Sequence, residues 1–366
     1  MPPLALDADT ETGGAFELIG ASPEVQLTSK RARLSFRKQF EAHLDSVRFV
    51  KLAGAGTLVS GGDDGLVKSW TLGCDAKKAA LSLNTVGRGH ESPVTCGALL
   101  RRQLFTAGMR GEVVAWEVEG TGLSLRRKIK RGSEPIWGLA ALTPSLVVCS
   151  TPNLIRFVDF ENHSKPFVYQ TGSSHNFFGR VCAAGVGQFA VHSFSNPAGE
   201  VGAPGEQHFI QLYDVNRPET PVHKFQHGKG LVNALEFCKV NKLLAVATES
   251  GHIVTLDTRE RKLALCVKAH SGPVLSVTLN ETSGLLASAG LEACAHSSAY
   301  HSLNLESSLR LWDLRKGSFA CLNTYEKLDH KFDESILGLE FSNAGDFLFA
   351  AGADASLRVF DVEKLL

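Results

Sequence analysis

The stretch FEAHLDSVRFVKLAGAGTLVSGGDDGLVKSWTL, residues 40–72, decides the fold. Its apolar residues fall in short runs separated by clusters of Gly, Ser and Asp. Such runs are too short for ordinary helices, and their composition fits half-buried strands joined by tight turns. The last of them, LVKSWTL (66–72), recurs six more times: EVVAWEV (112–118), LIRFVDF (154–160), FIQLYDV (209–215), HIVTLDT (252–258), LRLWDLR (309–315) and LRVFDV (357–362). Aligned, the copies place Trp70, Trp116, Val158, Tyr213, Leu256, Trp312 and Phe360 at one position, 42 to 56 residues apart.

The shorter spacings match one four-stranded blade of a WD repeat. Each copy is preceded by a His or Gly-Pro turn and an apolar strand, as in AHLDSVRFV, GHESPVTCGAL and AHSGPVLSV. The expected class is therefore all-β, a seven-bladed WD-repeat β-propeller. The repeat is clearest in the first blade, where His43, Ser60, Asp64 and Trp70 occupy the four polar positions of the pattern. The carboxylate can orient the imidazole, the imidazole can meet the hydroxyl, and the hydroxyl can accept from the indole N–H. A His–Ser–Asp set also suggests a hydrolase, but the repeat puts these residues inside a blade wall and away from any cleft. Other blades depart from the pattern. The second has Arg110 where the Asp is expected, and the seventh keeps Asp354 but ends in Phe360.

The chain ends a few residues after the last repeated strand, which leaves the seventh blade short of its outer strand. The segment ARLSFRKQF (32–40) is expected to supply it and so remove an open sheet edge. Residues 1–28 are then expected to be a flexible acidic tail, with the propeller spanning 29–366.

Composition narrows the function. The 38 basic residues balance the 38 acidic ones, so no bulk charge draws the chain to nucleic acid or to an anionic membrane. No apolar run has the length of a membrane span, and the first residues lack the basic and apolar regions of a secretory signal. Eight scattered cysteines without a CxxC pair read as buried free thiols in a reducing, cytoplasmic setting. Gly-rich stretches such as SGGDDG are strand turns and do not precede a helix, so no nucleotide or other cofactor is expected.

The closing stretch HKFDESILGLEFSNAGDFLFAAGADASLRVF (330–360) resembles the last blade of the striatins, above all in the DESI turn and the AGADA segment. Residues 40–72, KAHSGPVLSV (268–277) and LRLWDLRKG (309–317) also resemble striatin blades. The resemblance covers about residues 36–366 and is weakest in blades 3 and 4. It implies a non-catalytic scaffold within the striatin-interacting phosphatase and kinase complex, with other proteins of that assembly as partners. Striatins also carry a coiled coil that recruits the phosphatase core. Residues 1–35 contain no heptads and no basic amphipathic helix, so the resemblance is to the propeller alone.

Strand order predicts where partners bind. Two loops between second and third strands are enlarged: SNPAGEVGAPGEQ (195–207) in blade 4 and LEACAHSSAYHSLNLE (291–306) in blade 6. Both should rise from one face and flank blade 5, with Ser195, Asn196, Glu200, Glu206, Glu292, His296, Tyr300 and His301 as candidate contacts. Cys294, His296 and His301 match no standard zinc spacing, so no metal is expected. The basic runs LRRKIKR and KRARLSFRK fall on outer strands, where lysine and arginine block edge pairing. Trp312-Asp313-Leu314-Arg315 fits the WDxR pattern of cullin-RING substrate receptors, with Arg315 as the ligase-adaptor contact. Such a receptor, or a structural subunit of another large assembly, is the alternative reading.

Overall fold

The computed structural model describes residues 32–54, 56–75, 78–130, 132–161, 168–170, 176–195, 206–293, 305–314, 320–325 and 335–364. Among them, twenty-eight strands form seven antiparallel four-stranded sheets. Six blades use consecutive strands and span 47–88, 94–130, 138–170, 176–226, 232–268 and 274–325. The seventh joins three C-terminal strands, beginning at Ile336, to the N-terminal strand Ala32–Glu41. The expected N-terminal tail lies outside the described residues.

The repeated large residue holds the same register in every blade. Trp70 faces Leu58, Trp116 faces Leu104, Val158 faces Val147, Tyr213 faces Phe189, Leu256 faces Leu244, Trp312 faces Leu286 and Phe360 faces Leu348. A register shift recurs on the outer side of that position, beside Trp70, Trp116, Leu256 and Trp312. The bulge strengthens the local twist, which lets each blade splay from its inner to its outer strand.

The core is divided into layers between blades. Phe49, Val59 and Val67 of blade 1 bury against Val94, Leu104, Val114 and Trp116 of blade 2. The Phe49 ring needs Gly97 beside it, because a Cβ there would lie 2.5 Å from ring carbons. Leu286 and Trp312 of blade 6 likewise pack with Ala245, Ala247 and Ile253 of blade 5. Each layer buries apolar side chains at about 25 cal/mol per Å2 removed from water, so every blade depends on both neighbours.

Closure uses the strand expected for it. Ala32–Glu41 runs antiparallel to Ser356–Lys364 and places Phe36 opposite Phe360. Those rings meet edge to face at 5.7 Å, and Arg37 Nε lies 2.8 Å from Asp361 Oδ2. The amides of Ala42 and His43 both donate to Ala355 O at 3.0 Å, which fixes the passage from blade 7 into blade 1.

Candidate functional site

The four polar residues of blade 1 form one buried chain. Asp64 Oδ1 lies 2.9 Å from His43 Nδ1, His43 Nε2 lies 2.8 Å from Ser60 Oγ, and Trp70 Nε1 donates to Ser60 Oγ at 2.9 Å. Burial lowers the His43 pKa against the opposing pull of Asp64, so the imidazole is neutral at pH 7. Burial alone would raise Asp64, but hydrogen bonds from His43 and from the Leu44 and Leu66 amides outweigh it and hold the carboxyl low. Neutral His43 therefore donates from Nδ1 to Asp64 and accepts from Ser60 at Nε2. Ser60 is fully buried and its oxygen is already committed to Trp70, so the set has no nucleophile to offer a substrate.

Blades 2 and 6 build the same chain with different acids. His90 Nε2 is 2.6 Å from Thr106 Oγ1, which also accepts from Trp116 Nε1 at 2.8 Å. Arg110 does not leave this chain without an acid, because Glu112 reaches the imidazole from two residues further on, 3.5 Å from Nδ1. Burial raises that carboxyl, yet the Ser92 hydrogen bond and the neighbouring His90 imidazole dominate and bring it down to about 2. In blade 6, His270 bridges Ser288 at 2.9 Å and Glu292 at 2.8 Å, and Trp312 Nε1 donates to Ser288 at 2.9 Å. Blade 7 puts the Arg358 guanidinium against Asp354, above Gly352, as His43 sits above Gly62 and His270 above Gly290.

Where the large residue is not Trp, the hydroxyl disappears with it. The counterparts of Ser60 are Cys149, Val191, Val246 and Ala350 in the blades carrying Val158, Tyr213, Leu256 and Phe360. A buried indole N–H requires an acceptor, and a buried hydroxyl without the indole would lack its donor. The two positions therefore change together.

Blade 4 holds polar groups of another kind. His192 Nε2 meets His208 Nδ1 at 3.3 Å, and His227 lies with its ring centroid 6.1 Å from that of His192 and 6.0 Å from that of His208. All three are buried. Burial, then the neighbouring His227, His208 and Arg180, holds His192 well below its ordinary value. Burial, then His208, brings His227 down to about 4. No group of His, Cys, Asp or Glu among the described residues has a metal-binding arrangement.

The first strands line a central channel of about 1520 Å3. Near its mouth most of these strands carry a bulge, and the skipped residues line the channel: Arg48, Thr95, Arg180, Asn233, Leu275 and Leu337. Trp137, just before the first strand of blade 3, joins them. Several latch one blade to the next: Thr95 Oγ1 donates to Ile136 O at 2.6 Å, Arg180 Nη1 to Trp137 O at 2.8 Å and Asn233 Nδ2 to Val274 O at 3.0 Å. Deeper in, Lys51 Nζ pairs with Glu340 at 2.9 Å. Burial raises the Glu236 pKa against the opposing charge of Lys51.

The residues expected to meet partners are placed as follows. The enlarged loops do leave second-to-third strand hairpins of blades 4 and 6, ending at Ser195 opposite Gln207 and at Ala293 opposite Leu305. Ser195 is half-buried at the foot of the first loop. Glu206 turns inward, 3.8 Å from His208 Nε2. Glu292 is held by His270, Ser271, Ser308 and Arg310, so its carboxylate belongs to the blade. Asn196, Glu200, His296, Tyr300, His301 and Arg315 lie outside the described residues, as does Cys294. The basic runs do lie on outer strands, where Arg126 pairs with Glu117 at 2.6 Å and Lys128 with Glu91 at 2.7 Å. Cys96, Cys149, Cys182, Cys238, Cys266 and Cys321 are free thiols, and burial pushes Cys96 up to about 11 and Cys149 up to about 12.

Sequence reasoning passed over Trp137, Met109 and Arg180. Trp70, Trp116 and Trp312 are buried, whereas Trp137 and Met109 are each 39% exposed. The available signal was that Trp137 is the one tryptophan off the repeat position.

Comparison with known proteins agrees with this architecture. The family model for the WD domain, G-beta repeat, matches residues 34–71 and 319–361. Human striatin is 21% identical over 346 residues, covering 87% of this chain and 41% of its own length. Rat striatin is 23% identical over 348 residues, with the same coverage. Mouse striatin-3 is 24% identical over 346 residues, covering 87% of this chain and 40% of its own. The chain thus spans about two fifths of the length of these relatives.

Proposed function

From the premise that the chain is a WD-repeat β-propeller of the striatin type, we propose that it is a non-catalytic scaffold in a phosphatase and kinase signalling assembly. The observation that carries this reading is the similarity to striatin and striatin-3 along 87% of the chain, which spans the propeller rather than one generic repeat. The chemistry of the blades supports it. The histidine, hydroxyl and carboxylate groups of blades 1 and 6 satisfy one another inside the walls, and His90 is tied to Thr106 within blade 2, as a platform requires and an active site does not. Partners are taken to approach the face that carries the 43–46 link, the channel mouth and the two enlarged hairpins. Its operation in the cytoplasm, with no nucleic acid and no membrane insertion, belongs to the same reading.

Affinity purification of the tagged full chain, followed by mass spectrometry, tests it. Kinase, phosphatase or other striatin-complex subunits should be recovered. Replacing 196–205 and 294–304 with short Gly-Ser turns should reduce that recovery without lowering the melting temperature. Recovery of a cullin adaptor, or of no striatin-complex component, would overturn the assignment.

A further inference from the structure

The channel mouth between blades 2 and 4 holds a cation that the protein leaves largely unused. Arg37, Arg48, Arg310 and Arg358 each have a carboxylate within 4 Å, on Asp361, Asp63, Glu292 and Asp354. Among the described residues, Arg180 has no such partner. Its one hydrogen bond runs from Nη1 to the carbonyl of Trp137, at 2.8 Å. A guanidinium has five N–H donors in a planar fork, and Arg180 lines the channel with only one of them bonded among the described residues. Its surroundings make the charge costly, because the side chain is half-buried and the Arg48 cation stands nearby.

Exposed apolar surface adjoins it. Arg180 grips the Trp137 backbone, and the preceding residue, Ile136, donates to Gly108 O at 3.4 Å, immediately before Met109. Met109, Trp137 and Arg180 therefore follow one another around the rim. Tryptophan, methionine and arginine are the residue types enriched at protein interfaces, and tryptophan and arginine dominate binding energy there.

We propose that this rim is a docking site for a partner protein segment carrying an aspartate or glutamate beside a large apolar side chain. The carboxylate accepts the free edge of the Arg180 fork, and the apolar neighbour covers Trp137 and Met109. The charge inventory favours a carboxylate over a phosphate. Arg48, the cation whose charge acts on Arg180, is clamped by Asp63 through Nε at 2.8 Å and through Nη2. One uncommitted guanidinium matches a single negative charge, whereas a dianionic phosphate usually draws on several cations. This proposal rests on the platform reading and names the chemistry of one of its contacts.

Phage-displayed random dodecapeptides provide the probe. The wild-type protein should enrich peptides with Asp or Glu next to Leu, Phe, Met or Trp. A synthetic peptide from that pool should bind Arg180→Gln and Trp137→Ala about tenfold more weakly or worse, while both variants keep the circular-dichroism spectrum of the folded wild type. Arg180→Glu should switch the enriched charge to Lys and Arg, a gain that misfolding cannot mimic. Absence of acidic enrichment, equal binding by Arg180→Gln, or about tenfold preference for a phosphoserine version of the peptide would each overturn the proposal. If these arms fail while striatin-complex subunits are still recovered from cells, only this contact is refuted and the scaffold stands.

Discussion

Lowering the pH from about 7 to about 5 should weaken this propeller through the histidines of blade 4, well before its carboxylates titrate. His227 is buried, and burial brings its folded-state pKa down to about 4 from the ordinary 6.5 of a free imidazole. Between those values the unfolded chain binds a proton that the folded chain refuses. The contribution is therefore fully present above about pH 6.5 and is lost as the pH falls toward 4. At about pH 5 the unfolded imidazole is almost wholly protonated and the folded one about a tenth protonated. Integrating about 1.36 kcal/mol per pH unit over that difference gives a loss of about 2 kcal/mol from His227 alone. The groups around the cluster do not reverse the sign. Glu206 and Glu249 pull His208 upward against its burial, whereas Arg180 disfavours protonation of His192. Glu112, by contrast, is brought down to about 2, so its contribution fades only below the ordinary glutamate range. The assay is urea unfolding of the wild type and of His227→Gln at both pH values. The wild type should lose about 2 kcal/mol more than the variant between the two conditions. An equal loss in both proteins would refute the claim that His227 is held neutral by burial.

Two further outcomes test the fold. Thr106→Val should cost about 2 kcal/mol by stripping the acceptor from Trp116 and the partner from His90. Because Val246 and Leu256 coexist in blade 5, Thr106→Val and Trp116→Leu together should cost about 1 kcal/mol less than their sum. Strict additivity in a double-mutant cycle would contradict the acceptor argument. Deleting residues 1–25 should leave the melting temperature unchanged. Deleting residues 1–41 removes strand Ala32–Glu41, bares the edge of Ser356–Lys364 and should lower the melting temperature and promote aggregation. A longer deletion that stays monomeric and equally stable would exclude this strand as the closing element.

The sequence by itself determined the repeat. Short alternating strands, turn residues at regular intervals and one large residue per copy are local signals, and they were enough for seven blades, their strand order and the closing role of residues 32–40. The chain of His43, Ser60, Asp64 and Trp70 was also legible, because its four residue types have one mutual hydrogen-bonding solution at that spacing. Tertiary structure alone decided how the irregular blades satisfy the same demand. Arg110 marks the expected acid as missing, but the second blade draws Glu112 from the next strand, since the carboxylate need only arrive at the imidazole and its place in sequence is free. Glu206 and Glu292 looked like loop residues meant for partners. Folding turned both inward, to histidines 2 and 22 residues away in the chain. The exposed rim of Met109, Trp137 and Arg180 was equally hidden, because it joins three blades whose closeness depends on ring closure and on bulges that re-aim single side chains. A repeat fixes what each blade is, whereas the contacts between blades fix which surfaces remain for binding.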